Sequence, residues 1–295
     1  MANVISKSTL FPVELTGELL NLVKGSSALA ELSGRSPLAF NGSEIFTFSM
    51  DKEADLVDEN GAKSNGGATI GTVTMKPVKI EYGMRVSDEF LIASAEYQIN
   101  ILRAFAEGFA RKAAKGLDIM AFHGFNPRTG AAATTLIGAN NFDAAVTQTV
   151  TRTADANADV ESAVALLTAS GHRANGIAAG LAFNGALAAE TKSNGDPMFP
   201  ELGWGATPDT LRGIRYRANG TVDYTGTTTQ AVVGDFERFR WGIAHEIPAK
   251  IIEFGNPDND AQAGDLQGHN QVYIRAEMFI GWAILDPTAF ALIET

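Results

Sequence analysis

The chain has 295 residues, 45% of them hydrophobic and 19% charged, which gives enough length and apolar content for one large domain or two ordinary ones. Its net charge of −11 excludes a broadly basic surface of the kind that displaces counterions from nucleic-acid phosphates. With no cysteine, it also excludes disulfides, thiolate zinc sites, iron–sulfur clusters and a cysteine nucleophile.

The first 37 residues are sparsely apolar. A helix is predicted from Glu14 to Val23, where Leu15, Leu19, Leu22 and Val23 share one side and Lys24-Gly25 closes the last turn. Neither this start nor any later stretch reads as a secretory signal or a membrane span, so a cytosolic chain is expected. A second patch, Ala28 to Leu32, is too short to stand alone and should lie along another element.

SEIFTFSM (43–50) alternates like a strand, with Phe46, Phe48 and Met50 on one face. After DKEADLVDENGAKSNGG (51–67), alternation resumes through 71–86. Val73 and Met75 set one phase, and Val78, Ile80, Tyr82, Met84 and Val86 set the other. The slip falls at Pro77, which predicts a bulge or a strand edge because proline cannot donate a ladder hydrogen bond. Together these pieces predict a long two-stranded ribbon with the acidic stretch at its tip. Two strands alone are marginal in water, and the neighbouring sequence shows no obvious third surface.

A long helix is predicted next, with Ser87 as N-cap, Asp88 and Glu89 in its first turn, and Ile101, Leu102, Phe105, Phe109, Leu117 and Met120 on one side. It should end near His123-Gly124, about 50 Å from its start, and act as a spine rather than a core element. Residues 138–240 read as α/β material. A helix from Asp159 to Ala169 is closed by Gly171, a strand lies within 176–184, and a short helix is expected from Asn184 to Lys192. Two long strands, 241–254 and 270–285, flank the polar loop GNPDNDAQAGDLQGHN.

No catalytic constellation is visible in the sequence. His123, His172, His245 and His269 are scattered without metal-ligand spacing, and neither a GxSxG elbow nor a Walker A loop is present. GWGATP (203–208) puts Pro208 where a dinucleotide loop needs glycine. In NPDNDAQAGDLQ (256–267), Asn256, Asp258 and Asp260 match the opening of a calcium loop, but Ala261 and Gln267 replace its required glycine and glutamate. A solvated loop is the expectation there. The Asp51–Glu59 carboxylates sit on a glycine-tipped ribbon that offers no low-dielectric pocket to separate their pKa values.

The order of parts carries more than any motif. ADLVDENGAKSNGGATIGTVTMKPVKIEYGMRVSDEFL (54–91), NGDPMFPELGWGATPDTLRGIRYRAN (194–219), VVGDFERFRWGI (232–243) and DPTAFALIE (286–294), in this sequence, resemble the major capsid proteins of tailed bacteriophages, the Hong Kong 97-type shell fold. Ile214-Arg215-Tyr216 depart from the family's small apolar and proline residues.

The resemblance implies an α+β fold. Its parts would be an N-terminal arm (1–37), an extended ribbon loop (38–86), a peripheral β-sheet domain with the spine helix (87–137 and 241–285) and an apical α/β domain (138–240), with 286–295 unassigned. It implies a structural, non-enzymatic protein without cofactor or metal, forming hexamers and pentamers of an icosahedral shell around double-stranded DNA that is not bound by sequence. Implied partners are further copies, a portal, and a separate scaffold or decoration protein, with no membrane. The expected location is the virion capsid, assembled in the host bacterial cytoplasm. No cleaved scaffolding segment is expected ahead of the arm, and no Lys63–Asn256 or Lys63–Asn259 crosslink. Asp51, Glu53, Asp55, Asp58, Glu59 and Lys63, at the loop tip, are then intersubunit contacts. Two other readings remain: an encapsulin shell around an enzyme cargo, and a cytosolic enzyme using the Asp51–Glu59 carboxylates.

Overall fold

A computed structural model describes residues 26–203, 206 and 208–295. The helix expected over Glu14–Val23 lies outside the described residues.

The first sheet has five strands. They are β1 (Gly34–Arg35), β2 (Ser43–Met50), β3 (Ala68–Ser87), β9 (Phe239–Ile252) and β10 (Gln271–Ile284), in the spatial order β1-β9-β10-β3-β2. The hairpin pairing of β2 with β3 is the expected ribbon, from Ser43↔Met75 to Met50↔Ala68. Its missing support comes from 200 residues further along the chain. β10 pairs antiparallel with β3 from Gln271↔Ser87 to Trp282↔Lys76 without a break. The base of the ribbon is therefore part of a sheet, and only its outer part is two-stranded.

The phase slip at Pro77 has a different cause from a bulge. The ladder runs evenly through Gly281↔Pro77, and β2 has already ended at Ser43↔Met75, so Pro77 occupies an edge position on that side. The slip records which face is covered. Met75, with Val73 beside it, packs on Leu38 and Ala283 on one face of the sheet. Val78, Ile80, Met84 and Val86 pack on the main core on the other. One strand passes between two apolar surfaces, and its pattern changes phase where the covering layer changes sides.

The long helix, α3 (Ala95–His123), is shorter than expected and is capped by Ser94, whose Oγ accepts from the Tyr97 amide at 3.4 Å. Ser87 instead ends β3, and a separate turn, α2 (Glu89–Ile92), intervenes before Ala93 returns to extended backbone. Both serines have a glutamate two positions on, so the two caps look alike locally. The β3–β10 ladder runs through to Ser87↔Gln271 and holds Ser87 in the strand. Gly124, at φ 68°, ends α3 as expected. Gly108 and Gly116 do not break it.

The helix is a spine only along its first half. Every residue from Leu117 to His123 is buried, because α1 (Ala28–Leu32) and the 219–222 loop wrap its C-terminal end. α1 is the short patch that needed a neighbour, and Ala28, Leu29, Ala30 and Leu32 are all buried.

The second sheet has six strands: β4 (Thr149–Thr151), β5 (Gly176–Ala179), β6 (Thr210–Leu211), β7 (Ile214–Ala218), β8 (Thr229–Gly234) and β11 (Phe290–Glu294), ordered β4-β11-β8-β5-β7-β6. Just ahead of β4 in sequence lies a single helical turn, α4 (Phe142–Ala145). α5 (Ala156–Ala169) and α6 (Leu181–Ala189) contribute Ala163, Leu167, Phe183 and Leu187 to the core against Ile177, Val233 and Ile293. The strand expected over 176–184 stops at Ala179, and α6 begins at Leu181 rather than Asn184. Asp223 accepts from the Ala182 amide at 2.9 Å and so satisfies the early helix start from across the chain. The closing residues 290–294 join this sheet between β4 and β8. The sheet's other face, through Ala178, Val232 and Leu292, shares one core with α3 and the first sheet. Phe142 sits at the junction, with ring centroids 4.9 Å from Phe290, 5.4 Å from Phe122 and 5.5 Å from Phe239.

Candidate functional site

The expected contact residues sit together at the free end of the ribbon. Every residue from 51 to 70 is exposed, Asp51, Glu53, Asp55, Asp58, Glu59 and Lys63 included. The loop is held mainly at its neck. The Gly67 amide donates to Asp51 Oδ1 at 2.7 Å, Asp51 N donates to Gly67 O at 3.1 Å, and Lys52 Nζ donates to Asn65 O at 3.1 Å. Asp51 is therefore a loop-closing residue, while Glu53, Asp55 and Glu59 point their charge at solvent.

Below the tip runs a feature that the sequence shows only in part. Phe46, Phe48 and Met50 do share a face, as expected, but that face has no cover. They are 72%, 61% and 74% exposed. Ile70, opposite Phe48, is 70% exposed beside them. Leu56, in the tip itself, is 97% exposed. The alternation reveals the face, and only the tertiary arrangement reveals that this chain leaves it bare. Continuous exposed apolar surface of this kind marks a contact surface. On α2 and the first turns of α3, Ile92 and Tyr97 are exposed as well.

The loop with the calcium-like opening is occupied by a side chain of the protein itself. Arg85, on β3, donates from Nε to Asp258 Oδ2 at 2.8 Å and from Nη2 to Asp258 Oδ1 at 2.5 Å. Its remaining hydrogen bonds go to Asn256 Oδ1, to Gln271 Oε1 and to the carbonyls of Ala263 and Gly264. The guanidinium stands where an ion would need to be. The Asp258 carboxyl is held down at about 2, chiefly by the hydrogen bonds from Arg85. The loop is exposed along most of its length, as expected, and its polar groups close around an internal cation rather than an ion from solution. Nothing in residues 256–267 alone points to an arginine about 170 positions earlier.

A second buried knot was likewise missed. Asp118 is fully buried in α3 and accepts from Ser27 Oγ at 2.5 Å, Ala28 N at 2.9 Å, Leu29 N at 3.2 Å and Thr221 Oγ1 at 2.9 Å. Burial pushes its carboxyl up to about 6, against the pull of those hydrogen bonds.

Two histidines are satisfied structural groups. His123 faces Asp143 at 2.7 Å and the Thr221 carbonyl at 3.0 Å, and His172 faces Asp286 at 3.3 Å. Among the described residues no group of three His, Asp or Glu side chains could hold a metal ion, and no helix is long and apolar enough to cross a membrane.

The arrangement thus offers surfaces for contact, concentrated on a projecting ribbon. The phage capsid family model matches residues 8–295. The chain belongs to the phage capsid family. Its fold agrees with solved structures of that kind. A protein of Mycobacterium phage Ogopogo superposes with a TM-score of 0.75 at 31% identity, covering 91% of this chain and 92% of the other. One from Gordonia phage Cozz gives 0.75 at 25% identity, over 91% and 86%. At 14% identity, the capsid of an empty GTA particle shares the fold at a TM-score of 0.61, over 91% and 90%. No curated protein sequence matches. This capsid protein is the structural subunit of an icosahedral shell, with the α+β Hong Kong 97-type fold, and its place is the virion capsid.

Proposed function

We propose that this capsid protein builds hexamers and pentamers through its ribbon, the tip residues Asp51, Glu53, Asp55, Asp58, Glu59 and Lys63 lying on a neighbouring copy. One observation carries this reading: an outer ribbon whose apolar face its own chain leaves bare, with Phe46, Phe48, Met50 and Ile70 uncovered beneath an acidic loop. A two-stranded piece of this kind is marginal alone, and its stability rises by mass action when neighbours cover it. Rings of copies joined head to tail through such contacts close by rotation.

On this reading 1–37 is the arm, 38–86 the extended loop, 87–137 with 241–285 the peripheral domain, and 138–240 the apical domain, to which 290–294 adds a strand. The shell encloses double-stranded DNA without reading its sequence, as the net charge of −11 favours. It takes a portal and a separate scaffold or decoration protein as partners, and it assembles in the cytoplasm of a host bacterium. The protein acts by contact and carries no catalysis.

The test is the mass and content of what the purified chain forms. Megadalton particles protecting DNA from nuclease are expected. A stable monomer of about the chain's own mass across salt and concentration would overturn the reading, and particles filled with an enzyme would move it to a nanocompartment.

A further inference from the structure

Four arginines line one groove on the second sheet of this acidic protein. Arg173 follows α5, Arg212 and Arg215 flank the β6–β7 turn, and Arg238 precedes β9. They come from three separate stretches of chain, and the open groove between them encloses about 830 Å³. All four are exposed.

Their charge is only partly neutralised. Arg212 pairs with Glu161 at 2.9 Å and Arg238 lies 3.7 Å from Asp235. Arg215 donates from Nε only to the Asn175 carbonyl, at a long 3.4 Å. Arg173 has no hydrogen-bond or ion-pair partner among the described residues. The groove's own acids are Asp235 and Glu237, and the Asp235 carboxylate already accepts from the Asn175 side-chain amide and the Glu237 backbone amide. An excess of fixed positive charge is thus left in a concave site on a chain whose net charge is −11. Such a site attracts an anionic partner and orients it.

We propose that this arginine groove receives the acidic ribbon tip of a second copy of the chain. The inference rests on the shell reading above, and it names the receiving surface which that reading leaves open. Charge complementarity carries it. The tip brings Asp51, Glu53, Asp55, Asp58 and Glu59 against two lysines, Lys52 and Lys63, and its carboxylates form no ion pair among the described residues of their own chain.

The tip cannot serve its own groove. Ile284↔Phe239 and Trp282↔Lys76 place Arg238 level with the start of the free ribbon. From there β3 runs eight more residues to Ala68, about 26 Å at strand rise, before the loop begins. Guanidinium groups suit this partner because their planar donors grip carboxylates in pairs. Each exposed pair is weak, so the contact works by number and falls with salt.

The absence of cysteine makes a clean test available. Ser64→Cys in the tip with Thr168→Cys on the groove rim keeps every charge, and each residue is exposed. Oxidation of the assembled double variant should give ladders of covalently linked chains. Ser64→Cys with Lys192→Cys, on an exposed turn outside the groove, should not. Adding Arg173→Glu and Arg215→Glu should cut linkage at least tenfold, and adding Asp55→Lys and Glu59→Lys to that variant should restore it. Equal linkage at both cysteine positions, or no linkage in particles that form normally, would overturn the groove while leaving the shell reading intact. Particles of the Arg173→Glu, Arg215→Glu variant that link normally but lose packaged DNA would also overturn it, in favour of a phosphate site. A wild-type chain that forms no particle would instead sink the shell reading, because the groove needs a second copy to act on.

Discussion

Ser27 and Asp118 are 91 residues apart in sequence and joined by a hydrogen bond of 2.5 Å between Ser27 Oγ and Asp118 Oδ1, both groups buried. The same carboxylate takes the first two amides of α1 and the Thr221 hydroxyl, so one side chain ties α1, α3 and the 219–222 loop together. Replacing Asp118 with Ala should cost about 3–5 kcal/mol, since it leaves several buried donors without an acceptor. Chemical denaturation of the isolated subunit measures this. A loss under 1 kcal/mol would show that water or a local shift replaces the carboxylate.

Asp118 also makes stability depend on pH. Its folded value of about 6 lies above the ordinary aspartate value near 3.9, so the folded state holds an extra proton between them. The contribution is full below about pH 4 and is lost as pH rises through about 6, at most about 3 kcal/mol. The stability difference between the native chain and Asp118→Asn should change between pH 4.5 and 7 and be flat from 7 to 8. A flat profile throughout would remove this role.

Arg85→Met should release the 255–269 loop without melting the sheet. Amide exchange in that loop should accelerate well over tenfold while β10 stays protected. Asp258 is held below its ordinary value by Arg85, so its share of stability is present above about pH 4 and is lost as pH falls toward 2. Acid loosening of the loop in the native chain at pH 2–3, matched by Arg85→Met at neutral pH, is the expected pattern. Calcium should tighten neither form.

Gly242 and Gly281 face each other across β9 and β10, and residues 36–38 cross the sheet in the slot they leave. A Cβ on Gly242 would lie 2.4 Å from the Ser36 carbonyl, and one on Gly281 would lie 2.7 Å from the Lys76 carbonyl. Both obstacles are backbone, which yields poorly. Gly242→Ala should destabilise by about 1–3 kcal/mol, read as a lower denaturation midpoint. A neutral effect would mean that the 36–38 crossing is loose.

Deleting 51–67 and joining Met50 to Ala68 through a two-residue Asn-Gly turn should leave a folded, soluble subunit, because β3 keeps its β10 ladder. It should form no closed particle. Normal shells from this variant would show that the tip is dispensable.

Much of this architecture was legible along the chain. The alternation of 43–50 and 71–86 around a glycine-tipped loop specified the ribbon, and Gly124 and Gly171 marked helix ends where they stand. These signals are local, since strand period, capping and positive φ act within a few residues. The acidic tip could be located the same way.

What failed was long-range. Ser87 and Ser94 are equivalent caps by sequence, and the β10 ladder chooses between them. The slip at Pro77 looked like a defect in one strand and is a change in which layer covers it. NPDNDAQAGDLQ resembled an ion loop because Arg85, which fills it, is far away in the chain. The buried carboxylate of Asp118 sits in a helix where periodicity gives a charged residue to solvent.

The sequence by itself determined that this protein has a projecting acidic ribbon, a long helix and two β-rich parts, since these follow from short-range periodicity and turn chemistry. Only the tertiary structure decided that the ribbon base is sheet while its outer apolar face is bare, and that the scattered arginines gather in one groove. Those outcomes depend on which distant segments pair, and pairing is set by shape and burial across the whole chain rather than by any stretch of it.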